Sequence, residues 1–368
     1  MTPMKIAFRA DSSLQIGIGH VMRCLTLAEA LKAQGAECWF YCREFQGNLI
    51  ESIRGKGFPV HAVSNGTTSD AGEAGRALLL SHAAWLGATQ MEDAAECAPL
   101  LAAWQPDWLI VDHYALDARW EKALKPCCRR LMVIDDLADR EHHCDLLLDQ
   151  TFGRNATIYA PRVPADCKLL CGSQYAMLRP EFAALRAYSI QRRINPQLRQ
   201  LLITMGGVDK GNATGKVLTA LQSCEPPADC RITVVMGPSA PWLAEVQQRA
   251  EQLPWATDVR VDVSDMAQLM ADSDLAIGAA GATSWERCCL GLPTVMVVLA
   301  DNQRTVAQSL EQVGAARVLN GPGQIHERLP RLLCDLVVSP ALRATMSRIA
   351  AGITNGGGVS TVIHHMEI

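Results

Sequence analysis

Short apolar runs alternate with amphipathic stretches along the 368 residues, a pattern that builds parallel sheets covered by helices. In the first half Lys5–Arg9, Cys38–Cys42, Pro59–Val63, Trp108–Val111, Leu131–Ile134, Leu146–Leu148 and Lys168–Leu170 read as strands. Between the first two lies a helical stretch, His20–Gln34, where Val21, Leu25, Ala28 and Leu31 recur every three or four residues and Gly35 supplies a stop. From about Leu178 to Gln200 the rhythm breaks: the segment is polar and Arg-rich and carries Pro180 and Pro196. It reads as a connection, with an N-terminal domain over 1–185, a linker over 186–200 and a C-terminal domain over 201–368. A second series follows, with strands expected at Leu201–Met205, Arg231–Met236, Val259–Val263, Leu275–Ile277, Thr294–Val298 and Ala315–Val318. The expected fold is α/β, with two doubly wound, Rossmann-like domains. Sheets of this kind bind ligands at the carboxyl ends of their strands, so the chemistry is expected there, facing an interdomain cleft.

Composition narrows the function. Hydrophobic residues at 49% and charged residues at 20% describe a globular chain. A net charge of -4 gives no general affinity for nucleic acid or an acidic membrane, so an anionic ligand must be held by local donors. The 14 cysteines form no CxxC pair and lack histidines at metal-ligand spacing. They are expected to be reduced, mostly buried thiols in a reducing compartment. The longest apolar run, near Leu292–Ala300, is far short of the ~20 residues of a membrane helix. With no charged-then-apolar leader before Lys5, the expected location is cytoplasmic, with no membrane span.

Several strand ends carry candidate chemistry. The first strand runs into Asp11-Ser12-Ser13-Leu14-Gln15-Ile16-Gly17-Ile18-Gly19-His20, where the next helix starts. Gly17 and Gly19 allow close backbone approach, and the third glycine of a dinucleotide fingerprint is replaced by Met22, which argues against NAD. His20 stands at the positive end of a helix, where an uncharged imidazole is favoured, with Asp11 as a possible opposing carboxylate. It reads either as a general base or as a surface histidine at a helix start. The strand Leu201–Met205 ends in Gly206-Gly207 before a helix near Asn212, a turn suited to a diphosphate or simply a tight turn, without the Walker lysine spacing. Thr283, Ser284 and Glu286 open another helix after a small-residue turn, and Glu286 can accept two ribose hydroxyls or belong to a capped first turn. Asn302 and Gln303 follow the strand at Thr294–Val298 and can donate to phosphate or sugar, or only cap.

The strings RADSSLQIGIGHVMRCLTLA, LIVDHYALDARWE, VIDDLADREHHCDLLLDQ, YAMLRPEFAALR, LLITMGGVDKGNATGKVL, AIGAAGATSWERCCLGLP and LADNQ, in that order, resemble the UDP-2,4-diacetamido-2,4,6-trideoxy-β-L-altropyranose hydrolases of pseudaminic acid biosynthesis. That family is similar in turn to the peptidoglycan N-acetylglucosaminyltransferase and shares its GT-B fold. The resemblance spans roughly residues 4–360. It implies a UDP-sugar as the small-molecule partner and hydrolysis without a cofactor or metal. His20 would activate water for attack at the anomeric carbon. Gly206 and Gly207 would border the diphosphate, Thr283 and Ser284 would contact phosphate or nucleoside, and Glu286 the ribose. Asn302 and Gln303 would meet diphosphate or sugar, while Asp11, Ser12, Gly19 and Tyr114 would face the sugar. Asp112, His113 and Tyr114 end a strand and could touch the substrate or be structural; His113, often Asn in that family, is not expected to be catalytic. Asp135 and Asp136 follow another strand and could bind sugar hydroxyls or a cation, or only cap and orient loops, which is the favoured reading. The rival readings are a GT-B glycosyltransferase, a sugar-nucleotide 2-epimerase and a UDP-sugar-binding protein without turnover.

Overall fold

The computed structural model describes residues 3–64, 80–224, 226–238 and 240–367. They divide into two compact units, the first comprising 1–177 with 359–368 and the second 178–358.

The first unit is built on a seven-stranded parallel sheet of β1 (Lys5–Ala10), β2 (Glu37–Arg43), β3 (Val60–Val63), β4 (Trp108–Asp112), β5 (Arg130–Ile134), β6 (Leu146–Asp149) and β7 (Lys168–Cys171), in the order β3-β2-β1-β4-β5-β6-β7. Its helices are α1 (Gly19–Ala33), α2 (Ile50–Gly55), α3 (Gln90–Trp104) and α4 (Ala118–Leu124). Both faces of the sheet are covered. On β1, Ile6 and Phe8 enter one apolar cluster with Val21 and Leu25 of α1, while Ala7 enters another with Leu101 of α3 and Trp120 of α4. That alternation is why the strand is apolar at nearly every position.

The second unit begins with helix α5 (Pro180–Arg192) and holds a six-stranded parallel sheet. Its strands are β8 (Gln200–Thr204), β9 (Arg231–Met236), β10 (Thr257–Val261), β11 (Leu275–Ala279), β12 (Thr294–Val297) and β13 (Ala316–Leu319), ordered β10-β9-β8-β11-β12-β13. The remaining helices are α6 (Ala213–Leu221), α7 (Leu243–Glu251), α8 (Met266–Asp272), α9 (Thr283–Cys289), α10 (Arg304–Gln312), α11 (Ile325–Val338) and α12 (Pro340–Ala351); α13 (Gly358–His365) leads back to the first unit. Both sheets therefore reverse direction between their first and fourth strands. That reversal opens a crevice at the strand ends where doubly wound sheets take their ligands: β1/β4 in one unit and β8/β11 in the other.

Every strand expected from the apolar runs is present, shifted by a residue or two at its ends. The domain limits differ. The polar segment taken as a connection contains α5, started by Pro180 in its first turn. It is fastened to its own unit by arginines that donate to backbone carbonyls. Arg186 reaches those of Cys289, Thr354 and Ala351, and Arg193 those of Met270 and Ser273. Side chains that bind carbonyls leave no apolar stripe. The final residues also depart from the expected limit of 201–368. Val359, Val362, Ile363 and Met366 lie in the core of the first unit, and Arg130 pairs with Glu367 at 2.7 Å. All cysteines are free, and most are buried. No helix among the described residues is long and apolar enough to cross a membrane.

Candidate functional site

The β1/β4 crevice gathers charged side chains. After β1 the chain folds into a turn closed by the Ser13 hydroxyl, which accepts from the Gln15 and Ile16 amides at 3.1 and 2.9 Å. Gly17 takes φ +82 there, a conformation few other residues accept. The turn delivers His20 to the start of α1 and leaves it 7% exposed. Its carboxylate partner is not Asp11 but Asp112, the last residue of β4: His20 Nδ1 lies 2.6 Å from Asp112 Oδ1. Arg23, one turn along α1, donates Nε to Asp112 Oδ2 at 2.5 Å and Nη2 to Oδ1 at 2.7 Å. It also donates Nη1 to Asp136 at 2.8 Å.

Burial alone would raise the Asp112 carboxyl, but Arg23 and then His20 outweigh it and hold it well below the usual carboxylate range. An ionised carboxylate only accepts, so Nδ1 is the ring nitrogen that carries the hydrogen and Nε2 keeps its lone pair. Among the described residues nothing hydrogen-bonds Nε2. The arrangement is an imidazole fixed in one tautomer by a buried carboxylate, the geometry of a general base.

Around the imidazole stand aromatic rings. The Tyr114 ring meets it edge-on at 4.6 Å between centroids, and its hydroxyl, pushed up by burial and by Asp136, donates to Asp136. Trp85, on a short 3-10 turn at Ala83–Leu86, stacks on Tyr114 at 5.8 Å and lies 6.4 Å from His20. His82 packs edge-on to Trp85 at 4.5 Å. Trp85 and His82 carry no motif, and nothing in the sequence marks them.

Other N-terminal candidates sit differently. Asp11 is buried, paired with Arg9 at 2.7 Å, and accepts from the Arg43 amide at 2.7 Å. The Ser12 hydroxyl accepts from the Leu49 amide at 3.0 Å. Their side chains hold the turn from behind, while Gly19 lies exposed on it. His113 Nδ1 accepts from the Ala115 amide at 3.1 Å, which turns Nε2 toward Asp11 Oδ2 at 3.3 Å. Asp135 is buried between Arg140 and the Tyr159 hydroxyl, each at 2.8 Å. Asp136 instead joins the His20 group.

In the second unit the β8/β11 crevice is lined by backbone. Gly206, at φ +88, is exposed, and Gly237 packs against the Gly207 carbonyl, to which its amide donates at 3.1 Å. The start of α6 differs from the expectation of free amides for a diphosphate. The Ala213 and Thr214 amides donate to Asp209 at 2.9 and 2.8 Å, and Gly215 donates to Asn212 at 2.9 Å. Two side-chain caps therefore occupy the donors of that helix end. After β11, Thr283 is half-buried and Ser284 fully buried. Glu286 is half-buried, and its carboxyl is pushed up by burial against the opposing pull of Arg179 and Arg287. Gln303 accepts from the Leu299 amide at 2.9 Å and holds Nε2 beside Gly281, while Asn302 is exposed. Gly206, Gly207, Thr283, Asn302 and Gln303 thus all follow strands β8, β11 or β12 at one end of the sheet. A cavity of about 130 Å³ between α5 and α8, lined by Arg179, Glu181, Leu185 and Gln268 among others, is smaller than the ~300 Å³ of an ordinary ligand pocket.

Two doubly wound sheets of this order give the chain the GT-B fold. Residues 203–356 match the glycosyltransferase family 28 C-terminal domain. The structure superimposes on that of MurG from Acinetobacter baumannii with a TM-score of 0.70 and 16% identity, over 99% of both chains. In sequence the chain is 28% identical over 312 residues to the UDP-2,4-diacetamido-2,4,6-trideoxy-β-L-altropyranose hydrolase of Campylobacter jejuni, covering 84% of this chain and 97% of that one. The resemblance carried by the motifs is therefore present over most of the chain. The chain is also 25% identical over 315 residues to the uncharacterized protein MJ1062 of Methanocaldococcus jannaschii, covering 82% of this chain and 57% of the length of that relative.

Proposed function

We propose that the protein hydrolyses a UDP-linked diacetamido-trideoxyhexose, UDP-2,4-diacetamido-2,4,6-trideoxy-β-L-altropyranose or a close isomer, to the free sugar and UDP. The observation that carries this reading is the His20–Asp112 pair at the β1/β4 crevice, 2.6 Å apart and clamped by Arg23. The identity to the Campylobacter hydrolase over nearly its whole length supports the choice of reaction.

Water attacks the anomeric carbon as His20 Nε2 takes its proton, and the bond from that carbon to the diphosphate oxygen breaks. UDP leaves with the electron pair and the configuration inverts. Asp112 stabilises the imidazolium that forms. Trp85, which is only partly buried, offers a wall for the deoxy and acetamido groups, which are less polar than sugar hydroxyls, while the buried Tyr114 ring backs it. In the second unit, the turns at Gly206-Gly207 and after β11, with Asn302 and Gln303, receive the diphosphate, and Glu286 accepts from the ribose.

The family 28 domain match and the fold shared with MurG favour a second reading, transfer of the sugar to an acceptor. Pure protein incubated with the UDP-sugar alone separates the two. Release of UDP and free sugar in equal amounts supports hydrolysis, and silence until an acceptor is added supports transfer. A UDP-linked product marks an epimerase, and binding without turnover marks a sensor. Under hydrolysis, His20→Ala should lower turnover by about 10²–10⁴-fold, and wild-type turnover by that variant would refute the assignment.

A further inference from the structure

Several buried arginines have their charge answered within the fold. Arg9, Arg23, Arg43 and Arg140 each pair with at least one aspartate. Arg193 and Arg343, which have none, donate to several backbone carbonyls. Arg287 stands apart. It is 1% exposed, yet its Nη2 alone is engaged, with the Ala279 carbonyl at 2.6 Å and the Ser284 hydroxyl at 3.3 Å. Nε and Nη1 are buried without a hydrogen-bond partner among the described residues. Among the described residues no carboxylate forms an ion pair with it.

The position of this unanswered charge is specific. A side chain on Gly278 would collide with Arg287 Nη1 and come within 2.9 Å of the Thr204 carbonyl. The guanidinium thus lies against the carboxyl ends of β8 and β11, where the sheet reverses and doubly wound folds take their ligands. The bond to Ala279 fastens the turn that follows β11, and the contact with the Ser284 hydroxyl ties in the start of α9. Burial lowers the group to about 10, against the opposing influence of Cys288 and Glu286, so the cation is held in place at a cost to the fold. An uncompensated cation in a dry site repays that cost when an anion arrives.

We infer that Arg287 is a positioning residue for the diphosphate of a nucleoside diphosphate: from beneath the turn after β11 it supplies the positive charge that the Gly206-Gly207 turn, with no lysine of the Walker kind, lacks. This rests on the proposed UDP-sugar reading and extends it to a residue that no motif singled out. Arg287 does not touch the reacting carbon. It acts through the turn it fastens and through the field it sets at the crevice.

Calorimetric titration of the full-length protein with UDP, UMP and inorganic pyrophosphate tests the inference. Arg287→Met should weaken UDP by about 10–100-fold and UMP distinctly less, with an unliganded melting temperature no lower than wild type. Arg287→Lys, which keeps the charge, should recover part of the preference for UDP over UMP, and Arg287→Gln should not; this pair also decides the matter should Arg287→Met not fold. Wild-type affinity for UDP in the neutral variants, or equal proportional losses for UDP and UMP, would overturn the inference. Wild-type protein that binds pyrophosphate but not UDP would sink the nucleotide-sugar reading while supporting the anion site. A wild type that binds neither overturns both.

Discussion

Replacing Asp112 by Asn probes the base without touching it. The carboxylate accepts from His20 Nδ1, from Nε and Nη2 of Arg23 and from the Cys24 thiol, four donors on two oxygens. An amide has one oxygen, so in either orientation its NH2 group faces one of Arg23's donors, and the negative charge beside the imidazole is gone. That charge matters when His20 becomes an imidazolium. Two unit charges about 4 Å apart at an effective dielectric constant of about 20 interact by ~4 kcal/mol. Arg23 already neutralises part of this, which brings the expected loss in turnover to the order of 10²–10³. Stability should fall by about 2–3 kcal/mol, less than for an orphaned buried ion because Arg23 keeps Asp136 at 2.8 Å. The assay is UDP release from the UDP-sugar by Asp112→Asn, His20→Ala and the double variant. If Asp112 works through His20, the double variant turns over no more slowly than His20→Ala. A loss below about threefold, or multiplicative losses in the double variant, would refute the pairing as the source of activity.

Other expectations follow from the same geometry. Gly237→Ala places a methyl against the Gly207 carbonyl and should displace the Gly206-Gly207 turn, costing about 1–3 kcal/mol by thermal melting and weakening UDP in titration. Trp85→Ala should raise KM for the sugar nucleotide by about 2–10-fold while leaving UDP binding unchanged; an equal loss for UDP would count against a sugar wall. Glu286→Gln should weaken UDP by roughly tenfold with little effect on pyrophosphate binding. Asp11 and Asp112 are held below the usual range, and Asp135 at about 2, by paired arginines that outweigh burial. Groups with depressed folded values add stability above their unfolded value and lose it as pH falls, so denaturant midpoints should drop steeply below about pH 4. A flat midpoint from pH 5 to pH 3 would contradict this.

Much of the fold was legible in the chain because strands buried on both faces are written as uninterrupted apolar runs, and each such run became a strand. Helix α5 was not, because arginines in it and at its C-terminal end bind carbonyls of three separate segments and leave no periodic stripe. His20 could be found from its place at a Gly-rich strand end, but its partner could not: Asp112 is 92 residues away, and Asp11, nearer along the chain, faces Arg9. The donors at α6 were misjudged for a related reason. Asp209 and Asn212 look like ordinary loop residues until their side chains are seen folded back onto the helix start. Trp85 and Arg287 acquire meaning only from what surrounds them, a ring cluster in one case and missing partners in the other.

The return of α13 to the first sheet makes that unit a discontinuous body, assembled from residues 1–177 and 359–368. During synthesis the second unit emerges as one unbroken stretch and can complete its interior on the ribosome. The first, although begun earlier, lacks Val362, Ile363 and Met366 until the whole second unit has been made, so the usual N-to-C order of domain maturation is inverted. The unit that holds His20 is completed after the other, and a nascent chain arrested before residue 359 would hold a complete second unit and an incomplete first one.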